Sequence, residues 1–178
     1  DVMDWSYYNS LYSGPQFQKL WDMMAYLNQK GITNGLLLNF QGPGPSWMGG
    51  DNLTPGMGDE WAEMVASLVI YAKTNRHIQF TLLAPNNEPD GNGEGMHVQS
   101  ADHYVTSLHK LAELLDTNGM TDIRFVAPDL LGSSTGFLPE IMDDSLIMSK
   151  MAHFGLHSYS AYGDGSQGVY DFIKQAGY

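Results

Sequence analysis

The chain has 178 residues, 43% of them hydrophobic, which is enough for one domain with a real core and not for two. Eight Lys and Arg against 20 Asp and Glu leave a formal charge of −12; a surface that negative repels phosphate backbones and anionic lipid, so neither nucleic acid nor membrane is an expected partner. There is no cysteine, which excludes disulfides, thiolate metal sites and a cysteine nucleophile.

No apolar run approaches the roughly 20 residues of a membrane span. Asp1-Val2-Met3-Asp4 lacks the basic and apolar regions of a signal peptide. Either the chain is cytosolic or targeting sequence has been removed. Aromatic residues make up 12% of the chain, and Trp5, Tyr7, Tyr8, Tyr12, Trp47 and Tyr162 read as loop aromatics. Such rings either line a ligand groove or cap the core beneath long loops.

From Phe17, apolar residues at Leu20, Trp21, Met24 and Leu27 keep the three-and-four spacing of a helix with one buried face. Gly31 follows as a C-terminal cap, and Gly35 to Phe40 is a short continuous apolar run, as expected of a strand buried on both faces. Gln41 to Gly58 is a Gly/Pro-rich loop carrying Trp47. Trp61, Met64, Val65, Leu68 and Tyr71 mark the next helix, before a strand from Ile78 to Ala84 that runs into Pro85-Asn86-Asn87-Glu88-Pro89. A third helix shows Tyr104, Leu108, Leu111 and Leu115 and stops at Asn118-Gly119; Ile123 to Ala127 is the strand after it. A fourth helix starts near Pro139, the strand Ala152 to Ser158 follows, and Val169, Phe172 and Ile173 begin one more helix.

Strict alternation of helix and strand predicts βα units with parallel strands. Two α/β architectures compete. A doubly wound sheet is complete at this length, whereas a closed barrel needs eight strands and typically about 250 residues. The placement of polar residues favours the barrel: Asn87-Glu88, Asp129 and His157 with Tyr159 all stand at the ends of strands, which is where barrel enzymes assemble their chemistry. The glycines after the first strand, Gly42-Pro43-Gly44-Pro45, are interrupted by prolines that remove backbone donors a phosphate would need.

Asn87-Glu88-Pro89 after one strand, His157-x-Tyr159 after another two units on, and Pro45-Ser46-Trp47-Met48 after the strand before resemble the retaining glycoside hydrolases of clan A, closest to family five and its relatives in families thirty and thirty-nine. The resemblance covers nearly the whole chain in element order. It implies a (β/α)8 TIM barrel present in part, about strands 3 to 6 with helices 2 to 6, residues 1–178 forming one catalytic-domain fragment. Glu88 would be the general acid/base and Asn87 the contact to a sugar 2-hydroxyl. His157 and Tyr159 would hydrogen-bond around the carboxylates, and Trp47 would stack on sugar. It implies no cofactor and no metal. The nucleophilic carboxylate would lie on a seventh strand, about 5 to 5.5 Å from the acid, so the isolated segment is expected to be inactive and its partner to be the remainder of the same barrel. The substrate would be a polysaccharide or smaller β-glycoside, and the location extracellular or periplasmic.

The residue types fit that chemistry independently of the family. Glycoside cleavage needs a carboxylic acid that is still protonated near neutral pH to donate to the leaving oxygen. His157 and Tyr159, two apart, would share one face of a strand. Competing readings make Glu88 a solvated loop carboxylate, His157 a hydrogen-bonded core histidine and Trp47 a loop anchor. Asp129 either binds sugar or caps the next helix, and capping is the better fit. Asp90-Gly91-Asn92-Gly93-Glu94-Gly95 imitates the front of a calcium loop, but its twelfth position is Ala101 where Glu is required, so it reads as a flexible loop over the site. A noncatalytic carbohydrate-binding barrel and a complete doubly wound small-ligand domain are the alternative functions.

Overall fold

Apolar residues at helical spacing bury one face of each long helix, and short apolar runs between them pair as strands. The computed structural model describes residues 3–91, 94–131, 135–157 and 165–178. In chain order these form α1 (Trp5–Tyr12), α2 (Pro15–Gln29), β1 (Leu37–Asn39), a 3-10 turn (Ser46–Met48), α3 (Gly58–Thr74), β2 (Leu82–Ala84), α4 (Ala101–Thr117), β3 (Arg124–Val126), α5 (Leu138–Asp143), α6 (Ser145–Lys150), β4 (Met151–His153) and α7 (Gly165–Gln175).

The strands make one parallel sheet in the order β1-β2-β3-β4. Leu38 lies opposite Leu83, and Leu83 opposite Phe125; the register slips between Phe125 and Val126. A doubly wound sheet reverses its strand order at the crevice where ligand binds. The described strands run in sequential order, without such a reversal.

Right-handed crossovers between sequential neighbours put successive helices on one face of the sheet. Leu38, Leu83 and Phe125 point into this helix-covered core. The other face is poorly covered: Leu37 is 41% exposed, and Leu82, Arg124 and Val126 are only half-buried.

At the centre of the helical layer, α3 is buried nearly all round, from Trp61 to Ala72, as a helix apolar on several faces must be. Its Ser67 gives its hydroxyl proton to Met64 O and lies 2.8 Å from Tyr12 Oη. Burial raises the Tyr12 phenol to about 12, against the opposing Ser67 contact.

Four departures from the sequence reading stand out. Trp5, Tyr7, Tyr8 and Tyr12 are not in a loop; they form α1, capped by Asp4, whose Oδ1 accepts from Ser6 N and Tyr7 N. Tyr12 meets Phe17 and Trp21 edge-on, with ring centroids 5.0 and 6.5 Å away, and Trp21 donates its indole N–H to Tyr12 O at 2.8 Å, so this helix is clamped to α2 by aromatic packing. The strands are three residues long where six or so were expected. The helix near Pro139 breaks into α5 and α6 at Asp144, which caps α6 by accepting from Leu146 N and Ile147 N. Finally, the Asp90–Gly95 segment is tied down at both described ends, through Leu131 N to Asp90 Oδ1 and Gly42 N to Glu94 O, while Asn92 and Gly93 lie outside the described residues.

Candidate active site

Past the strand ends, the backbone continues to pair across the sheet. Phe40 N donates to Ala84 O and Asn87 N to Phe40 O, stapling the exit of β2 to that of β1. Glu88 N donates to Asp129 O at 2.9 Å; Leu130 N donates to Gly155 O, and His157 N to Leu130 O at 2.7 Å. The carboxyl ends of all four strands are thereby held side by side.

These staples require unusual turns. Glu88 and Asp129 both adopt left-handed backbone, with φ of 48° and 57°. Asp tolerates this region, but for Glu it costs free energy, and strain of this kind concentrates at functional sites. Asn86 locks the following loop, its amide donating to Met96 O at 2.7 Å and its carbonyl accepting from Met96 N at 3.1 Å. Gly95 passes so close that a Cβ there would stand 1.8 Å from Asn87 O, so only glycine fits.

Glu88 is only 3% exposed, and His157 Nδ1 lies 2.5 Å from its Oε1. The same imidazole reaches Asp129 Oδ1 through Nε2 at 3.2 Å. One ring therefore bridges two buried carboxyl groups from different strand ends. Burial pushes the Asp129 carboxyl above its ordinary range; His157 opposes the shift, and the charge of Glu88 adds to it. Behind Asp129, Tyr104 of α4 is fully buried, and its phenol is raised by burial and then by the Asp129 charge. Its hydroxyl has no hydrogen-bond partner among the described residues.

Glu88 and His157 are thus brought together, and Glu88 is not a solvated loop carboxylate. Asn87 is buried beside them, its Oδ1 accepting from Asn39 Nδ2 at 3.2 Å. His157 does not lie within a strand, since β4 ends at His153 and only an isolated Leu130–Leu156 bridge follows among the described residues. Tyr159 lies outside the described residues. Asp129 is not a helix cap: α5 begins only at Leu138, and the Asp129 side chain turns to His157. Trp47 stands on the loop after β1, 62% exposed.

Sequence reasoning missed Asn39, which aligns Asn87, and Asn86, which clamps the loop. A polar residue ending the apolar run Leu36-Leu37-Leu38-Asn39 was the available signal, the same one that singled out Glu88.

No protein-family model and no curated protein matches the chain. In structure it is similar to the glycoside hydrolase family 30 subfamily 8 xylanase Xyn30A from Clostridium acetobutylicum, with a TM-score of 0.49 and 19% identity, over 61% of this chain and 27% of that one.

Proposed function

We propose that this chain is part of the (β/α)8 barrel of a retaining β-glycoside hydrolase, with Glu88 its general acid/base. The observation that carries the reading is the buried Glu88–His157 contact at the carboxyl ends of parallel strands. The sequential strand order and the poorly covered sheet face support a barrel whose interior is closed by further strands of the same protein.

In the first step, protonated Glu88 donates to the bridging oxygen as the bond from C1 to that oxygen breaks, while a second carboxylate attacks C1. In the next step Glu88, now a carboxylate, takes a proton from water as the water oxygen displaces the attached carboxylate. We do not assign that role to Asp129, because its carboxyl is already engaged by the His157 ring that stands between it and Glu88. The nucleophile belongs on a strand beyond β4, about 5 to 5.5 Å from Glu88. Asn87 and the exposed Trp47 would take sugar hydroxyls and ring faces. Neutral polysaccharides or smaller β-glycosides suit so negative a chain, and polysaccharide substrates fit an extracellular or periplasmic location.

The test is hydrolysis of aryl β-glycosides. Residues 1–178 alone are expected to give no turnover, whereas the longer chain that supplies the strands before β1 as well as those after β4, closing the eight-stranded barrel, is expected to be active. In that longer chain, Glu88→Ala should lose activity and recover it with azide, releasing the β-glycosyl azide. Sugar binding without turnover in the longer chain would instead make this a carbohydrate-binding barrel.

A further inference from the structure

We infer that Asp129 is a positioning residue which, through His157, holds an N–H on Glu88. This rests on reading Glu88 as the acid/base, and it follows from counting hydrogens. The imidazole stands between two carboxyl groups, with Nδ1 2.5 Å from Glu88 Oε1 and Nε2 3.2 Å from Asp129 Oδ1. Each contact is a hydrogen bond only if one hydrogen lies between its heavy atoms. A neutral imidazole brings one N–H and a carboxylate brings none, so both bonds require one more proton within the group.

Asp129 is where that proton belongs. Its carboxyl is shielded from water, and burial favours its neutral form. As an acid it donates O–H to Nε2; the ring nitrogen accepts, and the hydrogen of the neutral imidazole is then on Nδ1, donated to Glu88 Oε1. The proton that Glu88 transfers belongs on its other oxygen. Once it has left, the Nδ1–H bond to a full carboxylate strengthens, as charge-assisted bonds do, and this stabilises the base needed in the second step.

The surroundings hold Asp129 in this position from two sides. Its carbonyl accepts from Glu88 N, so its backbone is fixed to the residue it serves. The backbone of Gly155 presses against its side chain, leaving no room for a Cβ, which would meet Oδ1 at 2.8 Å. The Tyr104 phenol of α4 lies within reach of the Asp129 charge without bonding to it among the described residues. Among the described residues, the titratable groups facing Asp129 are therefore His157, Glu88 and Tyr104.

The decisive experiment reads the His157 ring by nitrogen-15 NMR in Glu88→Gln. The carboxamide introduced by that substitution both donates and accepts, so it leaves the tautomer to Asp129. The expected result is a hydrogen on Nδ1 with Nε2 bare, lost in Glu88→Gln/Asp129→Leu. A hydrogen on Nε2 in Glu88→Gln, or a ring protonated on both nitrogens, overturns the inference. In the active longer chain, Asp129→Leu should lower kcat on the order of 100-fold, the low end of what a positioned acid/base contributes, with KM little changed, and Asp129→Asn should restore most of it. Equal losses in the two variants also overturn the inference. Absence of hydrolysis by the unmutated longer chain sinks the glycosidase reading and leaves the NMR result standing on its own.

Discussion

Gly155→Ala tests whether the backbone beyond β4 pins Asp129. A Cβ at residue 155 would lie 2.9 Å from Asp129 Cα, 3.2 Å from its Cβ and 2.8 Å from its Oδ1. Carbon atoms rest at about 3.5–4.0 Å, so one backbone or the other must retreat by roughly 0.5 Å or more. Added to the present 3.2 Å between Asp129 Oδ1 and His157 Nε2, that retreat opens the contact to about 3.7 Å, beyond hydrogen-bond range. Overpacking of this kind costs about 1–3 kcal/mol, and at this chain length each kcal/mol lowers Tm by roughly 2–4 °C. The control is Gly168→Ala, the same chemical change in exposed α7, where a new Cβ meets nothing within 4 Å; it should stabilise by about 0.5–1 kcal/mol through helix propensity. Reversible urea denaturation of both variants gives the sign directly. If Gly155→Ala is as stable as the parent while Gly168→Ala behaves as expected, Asp129 is not held by this backbone.

Other expectations follow from individual contacts. Lys150 is 2% exposed and bonded at 2.5 Å to Asp116, whose side chain is 40% exposed. Asp116→Ala, which strands the buried ammonium, should therefore cost about 3 kcal/mol, and Lys150→Met clearly less, because the carboxylate left behind can hydrate; equal losses in denaturant titrations refute this. Leu83→Ala, in the middle of the sheet and fully buried, should cost about 2–5 kcal/mol by the same measurement. Asp144 gives a pH signature. Burial raises its carboxyl, but the Ile147 N–H, the His109 ring and the Leu146 N–H outweigh that and leave it below its ordinary 3.8. Its stabilisation is thus present above pH 3.8 and disappears as the pH falls through the lower folded value. Asp144→Ala should cost about 1 kcal/mol near neutrality and progressively less in acid; a gap that does not change with pH would falsify the assignment.

Much of the architecture was legible because burial leaves a periodic trace. The stripes Leu20-Trp21-Met24 and Tyr104-Leu108-Leu111 mark α2 and α4 unmistakably, and the apolar runs locate all four described strands. Strand length was not legible, because residues such as Ile78 and Phe80 are apolar for being buried, not for belonging to the ladder. The first helix escaped because Tyr, Asn and Ser are weak helix formers, although Trp5, Tyr8 and Tyr12 keep helical spacing; its order comes from the edge-on packing of Tyr12 against Phe17 and Trp21 of α2, a tertiary effect. At the site, Glu88 and His157 were readable from their places at strand ends. The role of Asp129 was not, since a carboxylate after a strand and before a helix looks like a cap, and only its left-handed backbone turns it toward the ring.

The unequal burial of the tryptophans also has an optical consequence. Trp21 and Trp61 are 1% and 2% exposed, whereas Trp47 is 62% exposed, so a collisional quencher such as iodide should dim mainly the red edge of the fluorescence. A saccharide laid across that indole would shield it. On the proposed reading, in which Trp47 stacks on sugar, the chain would carry its own dye and report occupancy without any label and before any bond is cleaved.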